Sequence, residues 1–221
     1  MRRTRHAFTI IELTMAIAIT AITGLSIAGV AVTISNAYAS SSDTHQTLQA
    51  GQSVIRNIQA IINKTKLVTS VSKDGIVLWC VDSNEDGQIN PSELVALYYD
   101  PQNRQLRTAV LSYSSLDSEL SNTLDASMPL SWTTNYSFIG SYIKTNNAVV
   151  SQPLADNVVA ASFQAMPDPP TSVNILVQVT LQETDGDLFT FRSSASTRAG
   201  SQSQVAVADG EFVLTSGEYR K

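Results

Sequence analysis

Three hydrophobic patterns succeed one another along the chain. Residues 10–34 are apolar around the full turn of a helix, built from Ile, Ala, Leu, Val, Met, Thr, Ser and Gly, with Glu12 the one charge. Past Asn36 the chain turns polar through Ser40, Ser41, Ser42 and Asp43, and then apolar residues return at Leu48, Gly51, Ile55, Ile58 and Ile62, flanked by Val54 and Ile61. Steps of three and four place these on one helical face. They predict an amphipathic continuation over 36–67, in the preferred reading unbroken from Phe8 to about Leu67. The alternative is a Ser-rich linker near 39–43 that joins two helices. From Val71 onward the period becomes strand-like. Strands are expected over 76–81, 94–99 and 106–111, with Asp100, Pro101, Gln102 and Asn103 as a turn. Residues 112–128 read as a polar loop with a helical turn near 116–120, and 136–143 and 158–163 as further strands. The clearest hairpin is late. Val173, Ile175, Val177, Val179 and Leu181 alternate, Glu183-Thr184-Asp185-Gly186 turns, and Phe189 and Phe191 alternate again. A long amino-terminal helix packed on antiparallel strands over 68–221 is an α+β arrangement.

A helix over 10–34 spans about 37 Å, more than the ~30 Å hydrocarbon core of a bilayer. Arg2, Arg3 and Arg5 precede it, so the amino terminus is expected in the cytoplasm and the rest outside. A secretory signal peptide cut near Ala37-Tyr38-Ala39 is a rival, although the apolar run exceeds the ~7–15 residues of a usual signal. A simple signal-anchor helix is another. Neither accounts for Glu12, since a carboxylate in mid-bilayer costs about 2.5–3.5 kcal/mol and needs a partner.

The stretch Arg5-His6-Ala7-Phe8-Thr9-Ile10-Ile11-Glu12-Leu13 resembles the prepilin leader of type IV pilins and type II secretion pseudopilins. Ala7 stands where that family usually has Gly. The resemblance implies a leader peptide over 1–7, cleavage by a prepilin peptidase between Ala7 and Phe8, and N-methylation of Phe8. It implies a retained membrane and assembly helix over 8–35, with Glu12 fifth in the mature chain. Glu12 would pair with the Phe8 amine of a neighbouring subunit during filament assembly, where low dielectric strengthens the attraction. The body is similar to J-type minor pseudopilins and W-type minor pilins, through an apolar strand followed by Leu97-Tyr98-Tyr99-Asp100, then Arg104-Gln105-Leu106-Arg107, and a late hairpin ending at Arg198. The implied fold is pilin-like. The implied partners are major and minor pseudopilins, the prepilin peptidase, an inner-membrane assembly platform and the bilayer. The implied location is a single pass through the inner membrane with the body in the periplasm.

Residues 82–93 carry a separate signal. Asp82, Asn84 and Asp86 stand at positions 1, 3 and 5 of a twelve-residue loop, Gly87 at 6, Ile89 at 8 and Glu93 at 12, the pattern of an EF-hand calcium loop. Calcium takes about 6–8 oxygens, and this spacing curls them around one point. Asp82, Asn84, Asp86 and Glu93 would give side-chain oxygens, Gln88 its carbonyl, and Asn90 a direct or water-mediated contact, while Glu85 points outward. The flanks are strands, so the loop reads as an insertion in a hairpin. Asn90, Pro91 and Glu93 suit one capped helical turn. An acidic surface turn is the alternative. Asp185 and Asp187 around Gly186 lack the ligand count and read as a hairpin turn.

Composition narrows the remaining options. With 14 basic and 19 acidic residues and three arginines ahead of the helix, the body is more acidic than the net charge of −5 suggests, which disfavours nucleic acid. One cysteine, Cys80, excludes an internal disulfide and reads as a buried, inert thiol. The two histidines, His6 and His45, lie in the leader and on the amphipathic helix, so no Ser-His-Asp or Cys-His set is expected in the body. A non-enzymatic subunit is the expectation: a calcium-stabilised minor pseudopilin, or alternatively a minor pilin displayed on a surface fibre for adhesion or DNA uptake.

Overall fold

The computed structural model describes residues 9–197, 205–208 and 211–215. The calls on Arg2, Arg3, Arg5, His6, Ala7, Phe8 and Arg198 lie outside these residues. The chain divides into two units, Met1–Gln46 and Thr47–Lys221.

Helix α1 runs from Ile10 to Lys64. The polar stretch at 39–43 therefore interrupts the apolar surface and leaves the helix intact. In the first unit the hydroxyls of Thr14, Thr20, Thr23, Ser26 and Thr33 donate to carbonyls three or four residues back, which lets polar side chains sit in an apolar helix. Every large apolar side chain from Ile10 to Ile34 is more than half exposed. A helix apolar all round suits hydrocarbon, and α1 is long and apolar enough to cross a membrane.

In the second unit α1 becomes one-sided. Gly51, Val54, Ile58 and Ile62 are buried while Ile55 and Ile61 are partly so, so Val54 stands at the centre of the stripe and Ile55 at its margin. Gly51 is required by packing, since a Cβ there would overlap the Phe191 ring.

Five antiparallel strands follow as a meander: β1 (Leu67–Ser72), β2 (Gly75–Trp79), β3 (Leu94–Asp100), β4 (Gln105–Leu111) and β5 (Val149–Ala155). Between β4 and β5 lie three helices, α2 (Ser118–Leu124), α3 (Leu130–Thr133) and α4 (Tyr136–Thr145). A second sheet orders β6 (Val158–Met166), β7 (Asn174–Gln182) and β8 (Leu188–Ser196), and β9 (Val205–Ala208) pairs with β10 (Glu211–Leu214). The long amino-terminal helix and antiparallel sheets make an α+β fold, as expected.

The meander is covered on both faces. Ile76 and Leu78 of β2 join a core with the α1 stripe and the second sheet, while Val77 and Trp79 join another with Ile139 and Ile143 of α4. Successive strand residues point to opposite faces. A strand between two cores is thus apolar throughout, which is why 76–81 reads as a run without alternation.

Two expectations need correction. The helix expected to about Leu67 ends at Lys64, and Leu67 opens β1. The strand expected over 136–143 is helix α4. Its aromatic and branched residues suggest a strand, yet Ile139 and Ile143 fall four apart and the Asn135 side chain accepts from the Phe138 N–H as an N-cap. Strand β5 gives no clear signal in the sequence. It is an edge strand that tolerates Pro153. The late hairpin forms with Gly186 at φ +96° in its turn.

Candidate functional site

Two glutamates organise the candidate sites. Thr9 precedes α1, and its backbone N–H and hydroxyl donate to Glu12 Oε2 at 2.9 and 3.0 Å. The Glu12 N–H returns a bond to Thr9 Oγ1 at 3.3 Å. This reciprocal pair is a capping box, which satisfies donors that the first turn of a helix leaves unpaired. It also places a carboxylate at the positive end of the helix dipole. Thr-x-x-Glu ahead of an apolar run is the sequence signature of this arrangement, so Thr9 belongs to the site although the leader motif draws attention to Phe8 and Glu12.

The acidic loop joins β2 to β3, the hairpin insertion expected. Its path depends on left-handed backbone at Glu85 (φ +58°) and Gly87 (φ +71°). The second is the glycine that the twelve-residue pattern calls for. Asn84 Oδ1 accepts from the Asp86 N–H at 3.2 Å, and Asp86 Oδ1 accepts from the Gln88 N–H at 2.7 Å. Asn84 Nδ2 also donates to Asp86 Oδ2 at 2.8 Å. These residues form an exposed chain of side-chain turns. Ile89 is buried, and its carbonyl accepts from the Met128 N–H at 2.8 Å.

Beyond Ile89 the loop tightens into a 3-10 turn over Pro91–Glu93, with Asn90 at its N-cap and Pro91 first, as expected. Glu93 is only 5% exposed. Its Oε1 accepts from the Ser83 N–H at 2.6 Å and the Ser83 hydroxyl at 3.0 Å. Its Oε2 accepts from Trp79 Nε1 at 2.9 Å and the Asn90 N–H at 3.4 Å. The carboxylate ties the last loop residue to the second, and both to the strand before them. At the other end, Asp82 Oδ2 pairs with Lys66 Nζ at 3.0 Å. Asp125 holds the exit of the loop by accepting from the Ser92 N–H and hydroxyl at 2.8 and 2.6 Å.

The six predicted ligands thus share one loop but face different partners. Among the described residues no three acidic, histidine or cysteine groups gather closely enough to hold a metal. Asp82 Oδ1 and Asn90 Oδ1, at positions 1 and 9 of the pattern, are buried oxygens without a hydrogen bond, whereas both oxygens of Glu93 are taken up by protein donors. Lys66, Trp79, Ser83 and Asp125 are site residues that the pattern does not name: Lys66 precedes β1, Trp79 ends β2, Ser83 lies inside the loop and Asp125 is the C-cap of α2, 33 residues from Ser92.

Cys80 is half-buried and free. Burial pushes its thiol pKa up, against smaller opposing effects from the Thr65 hydroxyl and the Lys64 charge. A raised thiol pKa means little thiolate and low reactivity. His45 is exposed on α1. Comparisons of the chain with family models, curated proteins and solved structures find no match.

Proposed function

We propose that this chain is a minor pseudopilin of a type II protein secretion system, a non-enzymatic subunit that helps to start or cap a short periplasmic filament. The observation that carries the reading is Glu12: a carboxylate at the start of a membrane-length apolar helix, held toward the helix end by Thr9. Such a charge is retained in hydrocarbon where it has a partner to meet. In this reading the prepilin peptidase cuts between Ala7 and Phe8, Phe8 is N-methylated, and Glu12 meets the Phe8 amine of an adjacent subunit. The body lies in the periplasm on a pilin-like fold, anchored by a single pass with its amino terminus cytoplasmic. The subunit is drawn from the bilayer with its major and minor partners by the assembly platform.

Calcium would be held by Asp82, Asn84, Asp86, Gln88, Asn90 and Glu93, where it supplies charge compensation and closes the hairpin. The unbonded oxygens of Asp82 and Asn90 support this part of the reading. The test of the whole is Glu12→Ala in cells that assemble the filament. Incorporation into sheared or cross-linked filament should be lost while the body keeps its wild-type melting temperature. Unchanged incorporation overturns the proposal. A surface minor pilin is the second reading, favoured if the chain copurifies with extracellular fibres and not with minor pseudopilins.

A further inference from the structure

We propose that the outer edge of β8 takes an extended acidic segment of a partner protein as a fourth strand of the second sheet. The inference goes beyond the reading above and depends on neither Glu12 nor calcium.

The pairing of β8 with β7 shows which backbone groups lie on that edge. The two strands keep one register from Asn174 opposite Ser196 to Gln182 opposite Leu188. Just past the two ends, the Thr197 N–H donates to the Val173 carbonyl and the Glu183 N–H to the Asp187 carbonyl. Hydrogen-bonded pairs recur at every second position of an antiparallel ladder. Phe189, Phe191, Ser193 and Ala195 therefore bond β7, and the backbone groups of Leu188, Thr190, Arg192, Ser194 and Ser196 point away from it. Among the described residues β8 pairs with β7 alone. One recorded bond reaches the outward row, from the Ser193 hydroxyl to the Ser194 carbonyl at 3.4 Å.

The other edge strands of the two larger sheets are interrupted. β1 carries an extra residue at Thr69, β5 at Leu154 beside Pro153, and β6 at Val159. Such bulges and prolines spoil pairing with a further strand. β8 has neither over its nine residues, so it is a regular template for strand addition.

Arg192 sets what can be added. It stands exposed at the middle of the outward row and is the one charge in β8. Its Nε donates to Gln178 Oε1 at 2.9 Å, and the terminal nitrogens can meet a carboxylate. A second copy of this chain is a poor occupant. Any twofold antiparallel pairing that joins four or more outward residues sets the two Arg192 side chains opposite or diagonal to each other, where like charges repel. A strand of another protein with an acidic residue opposite Arg192 meets attraction instead.

The test is residue-resolved amide exchange on the detergent-solubilised full chain. The probe is the peptide Thr-Val-Thr-Val-Glu-Val-Thr-Val-Thr, with a second peptide that has Lys in place of Glu. In the free chain the amides of Thr190, Arg192 and Ser194 should exchange fast and those of Phe191 and Ser193 slowly. The Glu peptide should slow the first set, with a Kd about fivefold below that of the Lys peptide. Arg192→Glu should reverse that order. Ser194→Pro removes an outward N–H and leaves the β7 ladder bonded, so it should weaken binding about fivefold at an unchanged melting temperature. Slow exchange of the outward amides in the free chain would mean that the chain covers its own edge. Equal Kd values for the two peptides, or protection by neither, would remove the acidic partner. Protection that grows with the concentration of the chain alone would give the edge to a second copy. Each of these three results overturns the inference, and none bears on the incorporation of Glu12→Ala.

Discussion

Glu12 and Glu93 occupy the same local position in two unlike regions. Each is third in its helical turn, and each accepts from the backbone N–H of its N-cap residue, Thr9 at 2.9 Å and Asn90 at 3.4 Å. Their surroundings differ. The recorded partners of Glu12 all belong to Thr9, three residues away. Glu93 is buried, and Trp79 and Ser83 add three more donors from 14 and 10 residues upstream. A capping carboxylate is therefore a common local device whose role depends on what surrounds it. In the folded body the surroundings make it a structural tie. At the start of an apolar helix its recorded bonds are all local, and in the proposed filament it would be the charge that a second subunit meets.

The sharpest way to break this comparison is Glu93→Ala. It leaves the buried Trp79 indole N–H and the donors of the exposed Ser83 without their acceptor, and bonds to a charged group are worth about 1.5–3 kcal/mol each. A loss of about 3 kcal/mol is expected for the body, a fall in melting temperature on the order of 6–12 °C. The check is thermal unfolding of the full chain with calcium chelated, so that a lost metal ligand does not contribute. A wild-type melt would mean that the carboxylate matters to the body only as a ligand.

Trp79→Phe should have a smaller effect. It keeps most of the buried ring in its core and removes a single donor to Glu93 Oε2. About 1.5–2.5 kcal/mol is expected from one charge-assisted bond and a modest loss of volume, read in the same melt. A loss as large as that of Glu93→Ala would move the weight of the tie from the carboxylate to the packing of the indole.

These two variants also mark how far the sequence was legible. Patterns that depend on neighbours in the chain were readable: the amphipathic stripe of α1, the late hairpin, and the turn over Asn90, Pro91 and Glu93. The twelve-residue spacing correctly places a loop between two strands. It cannot reveal that Glu93 Oε2 faces Trp79, because the indole reaches the carboxylate only once β2 and β3 have paired. Lys66 and Asp125 are hidden in the sequence for the same reason. The error at α4 is of another kind, since Asn135 was a readable N-cap that strand-like composition outweighed.

The smallest effect is expected from Thr9→Val. It removes the hydroxyl that donates to Glu12 and accepts from the Glu12 N–H, and it keeps the Thr9 backbone bond to the same carboxylate. Loss of an N-cap side chain costs about 1 kcal/mol at the helix end. Amide exchange at Glu12 should therefore speed about fivefold, because exchange there reports opening of the first turn. The body melt should stay within about 0.5 kcal/mol of wild type, as for a change confined to an exposed end. The two readouts together decide whether Glu12 is held locally. Faster exchange with an unmoved melt keeps it apart from Glu93, whereas a melt that falls with the exchange change would make both glutamates ties of the same folded unit.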